Sequence, residues 1–180
     1  MRLVLALLVI QLLTGCASLG LQGDVSTMSY DEYKASTSPG SIKDFNATGK
    51  FIFFIENKGF SGKLTWKSNN NKDTIFLLNP FNTVVAKIKL DALQKKFSIF
   101  VQDNNKNLEN LNAFLRRNDN IFLMREFSLK RPLSENKDIA IINNEWKISY
   151  HDSLPDNRTK KIIFKKGNIR LELLFISWVN

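Results

Sequence analysis

What most constrains this chain is a succession of segments in which apolar side chains recur at every second residue. Over 49–55, Phe51, Phe53 and Ile55 share one side of an extended strand, and Ile52 and Phe54 share the other. A strand apolar on both sides must be covered twice or must border an interior ligand space. Asn57-Lys58-Gly59 carries hairpin-turn chemistry. Beyond it, Phe60, Gly62, Leu64 and Trp66 alternate with Ser61, Lys63 and Thr65, so one face turns to a core and the other to water. Asn69-Asn70-Asn71 makes the next turn and 74–78 the next strand. Asn79-Pro80-Phe81-Asn82 interrupts before 83–90, where Val84, Ala86, Ile88 and Leu90 oppose Val85, Lys87 and Lys89. Phe97, Ile99 and Val101 continue the alternation.

The period changes at Asn107. Leu108, Leu111, Phe114 and Leu115 recur at helical spacing and end in Arg116-Arg117, where cations suit the helix dipole. Asp119 is placed to cap a second helix carrying Ile121, Met124 and Phe127, and Pro132 closes the interlude. Strands return with Ile139 and Ile141, then Trp146, Ile148 and Tyr150, then Ile162 and Phe164 before the Gly167-Asn168 turn. In the last strand Leu171, Leu173 and Phe175 oppose Leu174, Ile176 and Trp178. Strands in such number with a few inserted helices define a strand-dominated α+β fold, one large antiparallel sheet. Phe occurs 14 times, and 51–55, 75–78 and 169–178 are apolar on both faces. A thick packed core and a cavity lined by large apolar side chains would both use these residues.

The start of the chain sets the compartment. Arg2 and the apolar run 3–13 have the charge and length of a secretory signal, too short for a permanent membrane span. Leu13-Thr14-Gly15-Cys16 resembles the bacterial lipobox. Small residues ahead of Cys16 suit a protease cleft, and the Cys16 thiolate is the nucleophile that takes a lipid. Residues 1–15 are thus expected as a signal peptide. Residues 16–43, rich in Ser, Thr and Gly, are expected as a lipidated tether, and 44–180 as the folded domain. Within the tether, Ser29-Tyr30-Asp31-Glu32 matches a capping box for a short helix through about Ala35, with Tyr30 and Tyr33 needed to dock it. By resemblance to the enteric lipoprotein sorting rule, Ala17 and Ser18 after the cysteine point to the periplasmic side of the outer membrane. A single cysteine allows no intrachain disulfide. The chain has 26 Lys and Arg against 17 Asp and Glu, one base fewer once Arg2 is removed; the surplus favours anionic surfaces. The bases are scattered, so a solvated basic surface is expected and nucleic acid is not.

No catalytic constellation emerges. His151, the one histidine, is expected in an exposed loop past a strand. No His or Cys cluster offers transition-metal ligands, and no Gly-rich phosphate loop occurs. The expectation is a non-enzyme without cofactor or metal.

Taken in order, the strand 49–55, Gly62-Lys63-Leu64-Thr65-Trp66, Leu77-Leu78-Asn79-Pro80-Phe81, Trp146-Lys147-Ile148-Ser149-Tyr150 and the closing strand 169–178 resemble the LolB family of outer-membrane lipoprotein receptors. That resemblance implies a curved, unclosed antiparallel β-barrel with helices plugging one mouth. Its apolar cavity would receive triacylated lipoprotein cargo from the soluble carrier LolA and pass it to outer-membrane lipids, as a monomer. It implies Pro80 and Phe81 as the membrane-insertion loop, with Asn82 where the family has Gly; Asn also tolerates positive φ. A Phe81 folded back into the core is the other reading of that loop. The candidate cavity lining is Phe51, Phe53, Trp66, Leu78, Trp146 and Trp178. The rival to a receptor is a structural outer-membrane lipoprotein scaffolding an envelope assembly complex, with no cavity and every apolar residue accounted for by packing. A lipid- or glycan-modifying enzyme would instead need convergent polar groups in a pocket.

Overall fold

The computed structural model describes residues 25–37, 44–56, 58–102, 106–117, 120–132, 138–154 and 158–179. Cys16, the signal segment and Asp119 lie outside the described residues. The elements are β1 (Ser26–Ser29), α1 (Tyr30–Ser36), β2 (Phe45–Ile55), β3 (Lys58–Asn69), β4 (Lys72–Leu78), β5 (Val84–Asp91) and β6 (Lys96–Val101). They continue with α2 (Lys106–Arg116), α3 (Asn120–Leu129), β7 (Ile139–Asn143), β8 (Trp146–Ser153), β9 (Thr159–Lys166) and β10 (Ile169–Val179).

All ten strands form one sheet in the order β1-β7-β8-β9-β10-β2-β3-β4-β5-β6. Its two edges, β1 and β6, do not pair with each other, so the curved sheet stays unclosed. Every pairing is antiparallel except β1 with β7. The period-2 pattern puts Phe45, Ala47, Phe51 and Phe53 of β2 in the core, and likewise Leu64 and Trp66 of β3, Ile75 and Leu77 of β4, and Ile148 and Tyr150 of β8. Leu111, Phe114 and Leu115 of α2 and Ile121, Met124 and Phe127 of α3 fill the space inside the sheet. Two glycines let the sheet curl. A Cβ on Gly62 would lie 1.9 Å from the Leu78 carbonyl oxygen, and one on Gly49 would lie 2.1 Å from that of Leu174.

Several expectations need correction. β3 begins at Lys58, so Lys58 and Gly59 are already strand, and the turn lies before them around Glu56 with φ 54°. A register shift between Leu77 and Leu78 carries Val84 to the outer face, where it is exposed, while Val85 is buried. A second shift, between Phe175 and Ser177, brings Trp178 back into phase with Phe175; both are buried and Ile176 is exposed. His151 belongs to β8, half-buried, with Nδ1 3.3 Å from Asp138 Oδ1. The folded body also takes in residues assigned above to the tether. β1 pairs in register with β7, and the Tyr33 ring of α1 is fully buried against Phe127 at 4.6 Å. The capping box forms: Glu32 N–H donates to Ser29 Oγ at 3.3 Å, and Ser29 N–H donates to Glu32 Oε2 at 2.6 Å. The Ser29 backbone N–H, aided by the Ser29 side chain, holds the Glu32 carboxyl below the usual carboxylate range.

Candidate functional site

The centre of the interior between sheet and helices is lined by apolar side chains. Phe51, Leu64, Trp66, Ile75 and Leu171 of the sheet meet Leu111, Leu115 and Met124 of the helices. The space left there is about 10 Å³, room for about one water at most. In this conformation α2 and α3 fill the space inside the sheet. Of the candidate lining, Phe51 and Trp66 face this interior. Phe53 forms the next layer, its ring 5.7 Å from Phe60 and 5.4 Å from Phe114. Trp178 packs at 5.3 Å from Phe45 and 4.6 Å from Phe175, and its Nε1 donates to the Thr159 carbonyl at 3.1 Å. Leu78 is not part of the lining. It pairs with Lys63 on the outer face, because its neighbour Leu77, opposite Leu64, holds the inward phase.

One charged group reaches into the apolar interior. Asp73 is 2% exposed and in phase with Ile75 and Leu77. Its carboxylate accepts from Trp66 Nε1 at 3.0 Å, Ser68 Oγ at 2.7 Å and Arg125 Nε of α3 at 2.8 Å. The Arg125 guanidinium also donates to Asn71 Oδ1 at 3.3 Å. A buried carboxylate is tolerable only when so satisfied, and here the satisfaction ties α3 to the sheet. The end of α3 is held as well: Tyr150 Oη donates to the Phe127 carbonyl at 2.7 Å and Tyr33 Oη to that of Lys130 at 2.9 Å. Burial pushes both phenols above their ordinary pKa, with the Glu126 charge adding to it for Tyr33 and the neighbouring Tyr33 phenol for Tyr150.

Trp146 is buried in the core, its ring 5.8 Å from that of Phe114, but does not line the small central space. It borders a cleft of about 790 Å³ with Ile55, Phe114, Arg117, Glu145 and Lys166. The Lys166 ammonium lies 5.8 Å from its ring centroid and pairs with Glu145, a hydrogen bond that holds the Glu145 carboxyl low.

The β4–β5 loop is the most exposed apolar point of the described residues. Phe81 is 87% exposed, which rules out the folded-back alternative. The loop is nonetheless ordered by its own residues. Asn79 Oδ1 accepts from the backbone N–H of Phe81 at 2.9 Å and of Thr83 at 3.0 Å, and Asn79 N–H donates to the Thr83 carbonyl at 2.9 Å. Asn82 takes φ 65°, the left-handed conformation Asn tolerates, and its Oδ1 accepts from Lys63 Nζ at 2.6 Å. A large apolar ring is thus held out in water on a stiff support, while Pro80 beside it is also exposed.

Asp73, Arg125 and Asn79 were not singled out from the sequence. Asp73 carried a readable signal, a carboxylate in the apolar phase of its strand; Arg125 carried none, being 52 residues away. Among the described residues no group of three or more His, Cys, Asp or Glu could hold a metal ion. No protein-family model and no curated protein matches the sequence.

Proposed function

We propose that this chain is a lipid-anchored outer-membrane receptor of the LolB type, which takes acylated lipoproteins from a LolA-type carrier and releases them into the bilayer. The observation that carries the reading is Phe81, an apolar ring 87% exposed on a self-capped loop of a sheet whose other face encloses a predominantly apolar interior. The work is one of solvation. Each methylene moved out of water is worth about 0.8 kcal/mol, so two or three acyl chains do not cross the periplasm unaided. Apolar walls lower that cost, provided they hold the chains less tightly than the bilayer does; no nucleotide is then needed. Because the interior is filled, uptake requires α2 and α3 to swing outward, and the Arg125–Asp73 pair is the tie that must yield. The lipid on Cys16 keeps the receptor at its delivery surface.

Cargo bound and cargo released to liposomes, measured together, test this. Phe81→Glu sits on an exposed site, so the variant folds with an unchanged melting temperature and still captures cargo. Its charge is rejected by acyl chains, so release fails and cargo accumulates on the receptor. Phe81→Leu behaves as wild type. A Phe81→Glu protein that releases normally contradicts the assignment. One observation favours the rival reading: an interior with about 10 Å³ of free space is what a scaffolding lipoprotein requires. Failure of the folded wild-type chain to capture any acylated cargo would decide for the scaffold.

A further inference from the structure

The outer face of the sheet carries a second pattern. The register sets Lys161, Leu174, Lys50, Lys63, Leu78 and Val84 side by side across β9, β10, β2, β3, β4 and β5. Lys50 and Lys63 stand directly opposite each other, a placement that like charges disfavour. Among the described residues neither forms an ion pair. The carboxylate in this groove, Glu172, is already shared by Arg170 at 2.7 Å and Lys161 at 3.5 Å. Between the lysines lies a groove of about 420 Å³ whose walls include Ile52, Leu174, Ser61 and Pro80. The groove therefore runs into the loop that presents Phe81, and the Lys63–Asn82 hydrogen bond joins the two.

We propose that this groove is a docking surface for the headgroups of anionic phospholipids. An anion seated between Lys50 and Lys63 relieves their repulsion. The apolar residues of the same row, with Phe81 beyond them, meet the acyl boundary directly beneath a headgroup layer. Cations and apolar residues brought together at one level are the pattern that such a boundary binds. An acidic protein segment would neutralise the lysines equally but would leave Val84 and Phe81 in water. The inference rests on the membrane-delivery reading and adds to it the lipid class and the side of the sheet that faces the bilayer.

The test uses the full lipidated chain in vesicles of phosphatidylcholine, with or without phosphatidylglycerol. Cys16 is the one natural cysteine, and on the lipid-anchored reading its thiol is taken by the lipid, so a fluorophore on Ser61→Cys reports the groove alone. A headgroup-attached quencher should dim it in phosphatidylglycerol vesicles and leave a control on Ser98→Cys bright. The docking equilibrium should fall about fivefold for each lysine removed in Lys50→Gln and Lys63→Gln, and fall again in high salt. Quenching that is equal in the two vesicle types, or unchanged in the double variant, overturns the proposal. Cargo capture is read on the same proteins, and the double variant keeps it, because neither lysine faces the interior. A wild type that docks by charge yet captures no cargo upholds the surface and overturns the receptor; one that captures cargo without charge-dependent docking does the reverse.

Discussion

Asp73 is a carboxylate in the apolar phase of β4, and three donors keep it there. Removing it as Asp73→Ala strands Arg125 in a nearly buried site and should cost about 3–5 kcal/mol. Replacing both members, Asp73→Leu with Arg125→Met, should recover much of that loss; a double-mutant cycle in urea measures the difference. Equal losses from the single and double variants would show that the pair does not tie α3 to the sheet. Asn79→Ala withdraws the acceptor shared by the Phe81 and Thr83 amides. It should lower stability by about 1 kcal/mol and slow cargo release further than its stability loss explains, because the Phe81 support loosens. At this scale the sequence is legible where a residue breaks the pattern of its own strand. Phe81 stood out as bulky and apolar in a turn, and Asp73 could have stood out in the same way. Leu78 was misread although plain alternation from Ile75 and Leu77 turns it outward; the phases of Val84 and Trp178 were misread because register shifts at Leu77/Leu78 and Phe175/Ser177 leave no mark in composition.

Among the elements, β1 and α1 show most clearly how local and distant signals divide. The capping box over Ser29 and Glu32 is written within four residues, and the helix forms where it predicts. β1 is four residues, Ser26–Ser29, with Met28 its one apolar member; its pairing depends on β7 far along the chain, so alternation does not reveal it. Ser29→Ala should cost about 1 kcal/mol, whereas Tyr33→Ala, which empties a fully buried site, should cost about 3–5 kcal/mol. Thermal unfolding of each variant checks the ranking. The two phenols at the end of α3 also give this element a pH signature. Both hold their protons above the ordinary tyrosine value of 10.0 in the folded state. The folded chain thus binds protons that the unfolded chain has released; their contribution is full below about pH 10 and is lost as pH rises above it. Tyr150→Phe should flatten that alkaline fall in melting temperature relative to wild type.

For the molecule as a whole, the nine strands legible in the sequence were enough to indicate one strand-dominated antiparallel sheet with helices inserted. What alternation could not convey is whether the apolar surplus surrounds a cavity or fills it, because wall and packing use the same side chains. Three-dimensional packing answers for this conformation: α2 and α3 occupy the interior, and Arg125, Tyr33 and Tyr150 hold α3 in place. Receptor function therefore turns on whether acylated cargo displaces those helices and reaches Trp66. The measurement is Trp66 emission in a Trp146→Phe/Trp178→Phe background, with cargo whose acyl chains carry bromine, supplied by a LolA-type carrier. Uptake should quench Trp66, and release to liposomes should restore it. Cargo that binds while Trp66 stays bright, or a folded protein that binds none, would contradict an interior that opens to acyl chains.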